Sequence, residues 1–127
     1  MQLTLHRPGE KLTIRSVGEE GFRVGDKIYG NSVVISSSEL LPEWSPQNTD
    51  ELCSEHFEAI FRQEPELVLI GTGEKQVFLS PELLAEFYQR GVGVECMNSM
   101  AACRTFNVLV SEDRRVSAAL MPVQSKA

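Results

Sequence analysis

The chain has 127 residues, of which 42% are hydrophobic and 24% are charged, and its formal net charge at pH 7 is -6. This length and composition predict one globular domain over residues 1–127 and argue against a disordered chain. The negative charge, with no cluster of cations to offset it, argues against nucleic acid as a partner, and the lack of a long apolar run predicts no transmembrane segment.

The N-terminal part is predicted to form a β-meander. Apolar and polar residues alternate over residues 11–16 and 21–36, as in strands with one buried face. Glycine and asparagine, which tolerate positive φ, mark turns at residues 17–22 and 29–32. The meander ends in the segment 39–50, because its two prolines interrupt a hydrogen-bond ladder. Trp44 lies between these prolines and is interpreted as a core residue, with a place on a binding rim as the alternative.

A helical periodicity begins at residue 48. Asn48 and Glu51 have the spacing of a capping pair, and Asp50 adds the negative charge that a helix N-terminus favours. Pro65 ends this pattern, which predicts one helix with a buried apolar stripe. The predicted stripe consists of Leu52, Cys53, Phe57, Ile60 and Phe61.

The next segments alternate a strand with a helix. The continuous apolar run "LVLIGTG" at residues 67–73 predicts a strand that is buried on both faces. Ser80 as N-cap, Pro81 at the first helical position and Gly91 beyond the end predict a second helix. Its predicted apolar stripe consists of Leu83, Leu84, Phe87 and Tyr88.

A further strand, a third helix and a final strand complete the pattern. Residues 92–96 predict the strand, Asn98 or Ser99 is the predicted N-cap of the helix, and the final strand ends at Pro122. The stripe predicted to be buried on the third helix consists of Ala102, Cys103, Phe106, Leu109 and Val110. Since strand, helix and strand in this order form a right-handed crossover, residues 67–71 and 92–96 are expected to be parallel neighbours in one sheet.

This topology predicts a shallow crevice at the carboxyl edge of the sheet, where open α/β folds place their ligands. The glycine turn after the first parallel strand and the helix entrance after the second both emerge there. The first turn of a helix has free N–H groups that can hold an anion, although most helix entrances hold only water. The candidate ligand-binding residues are Gly71, Thr72, Gly73, Asn98, Ser99 and Arg104.

The three cysteines form no even disulfide framework, which favours a reducing cytoplasm as the location. Cys103 belongs to the apolar stripe of the third helix and is therefore predicted to lie in the core. Cys96 precedes a helix N-terminus, which stabilises a thiolate, but neither His6 nor His56 is near it in the sequence. A structural role is favoured for Cys96 as well.

No metal, cofactor or catalytic residue is predicted. Cys53 and His56 are one helical turn apart and would make half of a zinc site, but no second pair completes it and Cys53 fits an apolar stripe. The "GTG" at residues 71–73 lacks the third glycine of a dinucleotide-binding loop and is interpreted as a turn. No two carboxylates stand out as a general acid and a general base.

Three stretches carry a resemblance to a known family. They are "GFRVGDKIYGNSVVISSSELLPEW", "PELVLIGTG" and, above all, "AACRTFNVLVSEDRRVSAALMP", and together they cover about residues 20–122. The chain resembles the Mth-type domain of unknown function family, whose relatives include the mitochondrial third assembly factor of respiratory complex I. The resemblance implies a single three-layer α/β domain with a central mixed β-sheet flanked by helices, and it carries over no catalytic residue.

Two functions are left open by the sequence. The resemblance favours a non-catalytic interaction module with a protein partner, because the mitochondrial relative helps to build a membrane complex. Such a module predicts an exposed apolar or aromatic patch. This chain starts without a mitochondrial presequence, which fits a bacterial relative and puts the assembly role itself in question. The alternative is a small-molecule or anion-binding protein, or an unrecognised enzyme, that uses the crevice, and the subunit count, monomer or dimer, is open.

Overall fold

Eight strands form two separate sheets in residues 10–123, the part of the chain that this computed structural model describes. The first sheet is antiparallel and consists of β1 (Ser16–Gly18), β2 (Gly21–Val24) and β3 (Lys27–Tyr29). The central sheet has the order β5-β4-β8-β6-β7. Its strands are β4 (Val33–Ser36), β5 (Leu40–Leu41), β6 (Leu67–Gly71), β7 (Gly93–Met97) and β8 (Val116–Leu120). β6 is parallel to β7 and β8, whereas β4 is antiparallel to β5 and β8, so the sheet is mixed as expected.

The predicted meander is confirmed for β1, β2 and β3 but does not extend to β4, which pairs with β8 in the central sheet. The strand predicted over residues 11–16 is also wrong before Ser16. The side chain of Asn107 takes the place of a neighbouring strand there. The backbone N–H of Ile14 donates to Asn107 Oδ1 over 2.9 Å, and Asn107 Nδ2 donates to the Ile14 carbonyl over 2.8 Å.

The first predicted helix is broken into three short pieces. Two 3₁₀ turns, Thr49–Glu51 and Ser54–Phe57, precede the one-turn helix α1 (Glu58–Phe61). Asn48 caps the first turn as predicted, since its side chain accepts from the N–H of Asp50 over 3.0 Å. Cys53 has an extended backbone and donates its N–H to His56 Nδ1 rather than to a helical carbonyl, which ends helical continuity at that point. Cys53 is therefore exposed, and its predicted place in a buried stripe is wrong.

The second and third helices lie where the sequence predicts them. In α2 (Pro81–Gln89), Ser80 is the N-cap and Phe87 is buried, but Tyr88 is exposed, so it does not belong to the buried stripe. In α3 (Ser99–Ser111), Asn98 is the N-cap and its side chain accepts from the Ala101 N–H over 2.8 Å. The predicted stripe of α3 is buried apart from Leu109, which is half-buried against the core.

The central sheet is covered on both faces, which gives the three layers of the predicted α/β architecture. One face, with Leu69 of β6, packs against α3 and the three-stranded sheet. The other face, with Val68 and Ile70 of the same strand, packs against α1, α2 and Trp44. Trp44 is a core residue as predicted, because only 3% of it is exposed. Within residues 10–123, none of the helices has the length and hydropathy that crossing a membrane requires.

Candidate functional site

Three strand ends meet at the carboxyl edge of the central sheet. β6 ends at Gly71 and β7 at Met97, and the two strands run parallel as predicted. The Thr72 N–H donates to the Met97 carbonyl over 2.8 Å, and the Met121 N–H donates to the Gly71 carbonyl over 2.9 Å. These bonds fix the loops after β6, β7 and β8 to one another.

Gly71 allows α3 to approach this edge closely. A Cβ atom at this position would lie 2.8 Å from a methyl carbon of Leu120 and 2.9 Å from Ser99 Oγ. Distances this short between non-bonded heavy atoms are repulsive, so only glycine fits without a shift of the helix or of β8. The residue predicted as part of a ligand site has a packing role in the structure.

Ser99 ties the entrance of α3 to both neighbouring loops. It is fully buried, its Oγ donates to the Met121 carbonyl over 2.6 Å, and that Oγ accepts from the Gly73 N–H over 2.9 Å. The Ser99 N–H donates to the Gly73 carbonyl over 2.8 Å. Its hydrogen-bonding groups are engaged within the protein, as buried polar groups require.

Thr72 orders the loop that follows β6. Its Oγ1 lies 2.6 Å from the Lys75 carbonyl and 3.1 Å from the Met97 carbonyl, and it accepts from the Val77 N–H over 3.1 Å. Gly73 has a φ of +100°, a conformation that a residue with a side chain rarely adopts. The turn predicted from the two glycines is therefore present.

A cleft of about 190 Å³ opens beside this loop. It is lined by Gln47, Asn48, Thr72, Gly73, Glu74, Lys75, Pro122 and Val123. The structure thus brings two of the predicted ligand residues, Thr72 and Gly73, to the cleft wall. The other four, Gly71, Asn98, Ser99 and Arg104, are not part of the lining, and Arg104 is exposed on α3. The cleft is smaller than the roughly 300 Å³ at which pockets for drug-sized ligands begin.

The two cysteines near this edge have protonated thiols at neutral pH. Burial raises the pKa of the Cys103 thiol to about 12, against a smaller lowering by the charge of Arg104. Burial also raises the pKa of the half-buried Cys96 thiol, against a lowering by a hydrogen bond from the Leu79 backbone. Both directions oppose the thiolate that a nucleophile needs. His6, one of the two histidines considered as a base for Cys96, lies outside the described residues.

A loop with two exposed apolar side chains lies next to this edge, and the sequence patterns did not single it out. We name residues 74–79, between β6 and α2, the Phe78 loop. The Phe78 side chain is 78% exposed, and Val77 beside it is also exposed. Two hydrogen bonds hold the loop in place: the Val77 N–H donates to Thr72 Oγ1, and Gln76 Nε2 donates to the Cys96 carbonyl over 2.9 Å.

The Phe78 loop runs along the outer side of β7, which is an edge strand. The Gly93 N–H donates to the Glu66 carbonyl, and the Met97 carbonyl accepts from the Thr72 N–H. The backbone groups of residues 93, 95 and 97 therefore point toward β6. Alternate residues of a strand direct their backbone groups to opposite sides, so those of Val94 and Cys96 face outward. Gln76 covers the Cys96 end of this edge, so Val94 is the position at which β7 presents outward backbone groups beyond the loop.

The sequence and the fold are similar to those of several known proteins. A family model described as "Protein of unknown function (DUF498/DUF598)" matches residues 14–121. NADH dehydrogenase (ubiquinone) 1 alpha subcomplex assembly factor 3 of Mus musculus is 34% identical over 112 residues, which are 86% of this chain and 60% of that protein. The 13 kDa major membrane protein of Francisella tularensis subsp. holarctica is 35% identical over 91 residues, 70% of this chain and 73% of that protein.

A solved structure has the same fold. The solution structure of a Bordetella pertussis protein described as a Mth938-like domain superposes with a TM-score of 0.83. The superposition covers 99% of this chain and 95% of that one, at 24% sequence identity. At this identity the likeness shows the fold, and the fold is the one predicted here.

Proposed function

Because the chain belongs to the DUF498/DUF598 family of proteins of unknown function, we propose that it is a non-catalytic interaction module that binds another protein. The resemblance to the Mth-type domain family, predicted from the sequence, is confirmed by the family match and by the Mth938-like fold. The mouse relative is named as an assembly factor of a respiratory complex, and this chain spans about 60% of that relative's length. A role in assembling or stabilising a partner is the corresponding proposal for this chain.

The single observation that carries this proposal is the exposure of Phe78. An aromatic side chain that is 78% exposed keeps a large apolar area in water, and covering it with a partner is favourable by roughly 25 cal/mol per Å² of apolar surface. Aromatic side chains, including Phe, are enriched at protein interfaces, and an ordered backbone reduces the entropy that is lost on binding. The hydrogen bonds of Thr72 and Gln76 provide that order in the Phe78 loop.

The partner surface that fits best is an extended segment with apolar and basic side chains. The outward backbone groups of Val94 match the donors and acceptors of an added strand, and Phe78 lies beside this edge. The net charge of -6 favours a partner that carries positive charge, because complementary charges raise the association rate and the specificity of binding. A cytoplasmic location belongs to the same proposal, because all three cysteines are unpaired thiols.

Affinity capture with three matched forms of the chain tests this proposal. We expect a specific partner to be retained by the wild-type chain and by Val108→Ser, and to bind about tenfold more weakly to Phe78→Ser. Val108 is the control because it is an exposed apolar residue, 55% accessible, on α3 rather than on the Phe78 loop. Equal retention by all three forms would contradict the proposed surface, and the absence of any specific partner would contradict the function.

A second proposal concerns a small anion in the cleft at the carboxyl edge. It is supported by the position of Thr72 and Gly73 on the cleft wall and by the positive charge of Lys75 beside them, which the negative charge of Glu74 in the same lining opposes. In a thermal-shift titration, phosphate or sulfate should raise the melting temperature of the wild-type chain, and Lys75→Met should remove the increase. An unchanged melting temperature across all anions would contradict this second proposal without affecting the first.

A further inference from the structure

Three metal-ligating side chains converge on the 3₁₀ turn that interrupts the first predicted helix. One ligand atom from each of Cys53, Glu55 and His56 lies within 4.8 Å of the other two. Cys53 and Glu55 are exposed and His56 is half-buried, so the cluster is open to solvent. The sequence pattern argued against a metal here because no second pair of ligands completes the site and because Cys53 was predicted to lie in the core. The exposure of Cys53 removes the second objection.

The spacing of sulfur and nitrogen fits a tetrahedral cation. Cys53 Sγ lies 3.6 Å from His56 Nδ1. A zinc ion with a Zn–S bond of about 2.3 Å and a Zn–N bond of about 2.05 Å, at a tetrahedral angle, sets its sulfur and nitrogen ligands about 3.6 Å apart. These two atoms therefore already have the separation that such an ion requires. A carboxylate oxygen of Glu55 lies within 4.8 Å of the ligand atoms of the other two residues, and the Glu55 residue is exposed.

The hydrogen bond that His56 Nδ1 accepts suits this role. The Cys53 N–H donates to Nδ1 over 3.0 Å, so Nδ1 carries a lone pair and no proton. A cation at this position replaces one backbone hydrogen bond, and the N–H that is released belongs to an exposed residue, Cys53. The loss is small because water satisfies an exposed N–H.

The turn that carries the ligands is fixed by the surrounding structure. Trp44 Nε1 donates to the His56 carbonyl over 3.0 Å, and the His56 ring packs edge-on against the Trp44 ring at 6.3 Å. The His56 N–H donates to the Cys53 carbonyl over 3.0 Å, and Ser54 Oγ donates to Glu86 of α2 over 2.6 Å. Ligands that are held in place before binding lose less conformational entropy on binding.

We propose that Cys53, Glu55 and His56 bind a zinc-class divalent cation, a site independent of the Phe78 loop. The Cys53 thiol loses its proton to solvent and binds as thiolate, His56 binds through Nδ1, and Glu55 binds through its carboxylate. A thiolate with an imidazole selects zinc over magnesium or calcium, which prefer oxygen ligands. Three protein ligands leave a fourth position for water or for a donor atom of another molecule.

Titration of the purified chain with Co²⁺, followed by Zn²⁺, tests this site. We expect one cobalt ion per chain to give a thiolate-to-cobalt charge-transfer band, and zinc to bleach it by replacement. Cys53→Ser should abolish the band. His56→Gln and Glu55→Gln should each weaken binding by at least about tenfold, the size of effect that loss of even a supporting group has at metal sites.

Two matched controls separate this site from general effects. Cys103→Ala removes a buried thiol, and Glu58→Gln removes an exposed carboxylate one turn further on, so both should keep wild-type binding. Zinc should also slow the alkylation of Cys53 by iodoacetamide in the wild-type chain and not in His56→Gln. The proposal is overturned if the wild-type chain gives no band, if the band persists in Cys53→Ser, or if His56→Gln binds as tightly as the wild type.

Discussion

Two helical regions of this protein, α3 and residues 49–61, differ in where their backbone hydrogen bonds go. In α3 the side chain of Asn98 caps the entrance, and the helix then continues for 13 residues with a buried stripe. In residues 49–61, the helical pattern is interrupted by two side chains that accept hydrogen bonds from the backbone. The Asn48 side chain accepts from Asp50 and the His56 side chain accepts from Cys53, and the segment forms three short pieces. A cap inside a helical pattern therefore breaks the helix and leaves Cys53 exposed, while Leu52, Phe57 and Ile60 stay buried.

The largest expected effect concerns the buried stripe of α3. Phe106→Ala should lower the free energy of unfolding by about 3–5 kcal/mol, because Phe106 is fully buried and its removal leaves a cavity. Val108→Ala on the exposed side of the same helix should change it by less than about 0.5 kcal/mol. Urea denaturation measures both. Similar losses in the two variants would show that α3 does not stabilise the fold through one face.

The next effect concerns the close approach of α3 to the sheet. Gly71→Ala should destabilise the protein by about 1–3 kcal/mol, because the new Cβ meets Leu120 and Ser99 at less than 3 Å. Gly18→Ala is the matched control, since a Cβ there has only an ordinary contact at 3.7 Å. A Gly71→Ala protein as stable as the wild type in thermal unfolding would mean that α3 is free to move away from β6.

A pair of cysteine substitutions compares the two regions directly. Cys103→Ser on α3 should cost roughly 1–3 kcal/mol, because it places a hydroxyl where the thiol is buried among apolar residues. Cys53→Ser on the exposed turn should change the free energy of unfolding by no more than about 0.5 kcal/mol. Denaturation in the absence of metal gives both values. If Cys53→Ser were the more destabilising variant, the turn would be part of the core after all.

The smallest expected effect lies where Glu66, just before β6, meets Arg114 and Arg115, just before β8. A hydrogen bond from the Arg115 backbone, and then one from the Arg114 side chain, lower the pKa of Glu66 below its ordinary value of 4.5. A lowered folded-state pKa means that this stabilisation is present above the unfolded-state value and is lost as the pH falls through the folded-state value. NMR titration of wild type and Arg114→Gln should show a higher Glu66 pKa in the variant. A Glu66 pKa at or above 4.5 in the wild type would contradict the assignment.

The sequence was sufficient where the determining contacts are local. Ser80 and Asn98 cap helices within their own next turn, and the stripe containing Phe106 repeats at helical spacing, so α2 and α3 were predicted correctly. The continuous run at residues 67–71 likewise predicted β6. The parallel pairing of β6 and β7 followed from the handedness of the crossover, which placed Thr72 and Gly73 at the correct edge.

The sequence was insufficient where a distant side chain replaces a backbone partner. The Ile14 backbone is hydrogen-bonded to the Asn107 side chain, which is 93 positions away, and no pattern in residues 11–16 indicates this contact. Cys53 and His56 have the spacing of neighbours on one helical turn, so the sequence does not reveal that the Cys53 N–H donates to the His56 ring. Gln47 and Asn48 reach the cleft from a separate segment, and Phe78 lies in a loop without periodicity, so neither could be placed from the sequence.

The position of β8 has a consequence for how the chain folds during its synthesis. β8 pairs with β4 on one side and with β6 on the other, yet it follows all the other strands of residues 10–123 along the chain. The two halves of the central sheet therefore stay unjoined until this segment leaves the ribosome. Pairings between segments so far apart make for slow folding, and a nascent chain that still lacks β8 exposes unpaired strand edges to which chaperones and other nascent chains can bind.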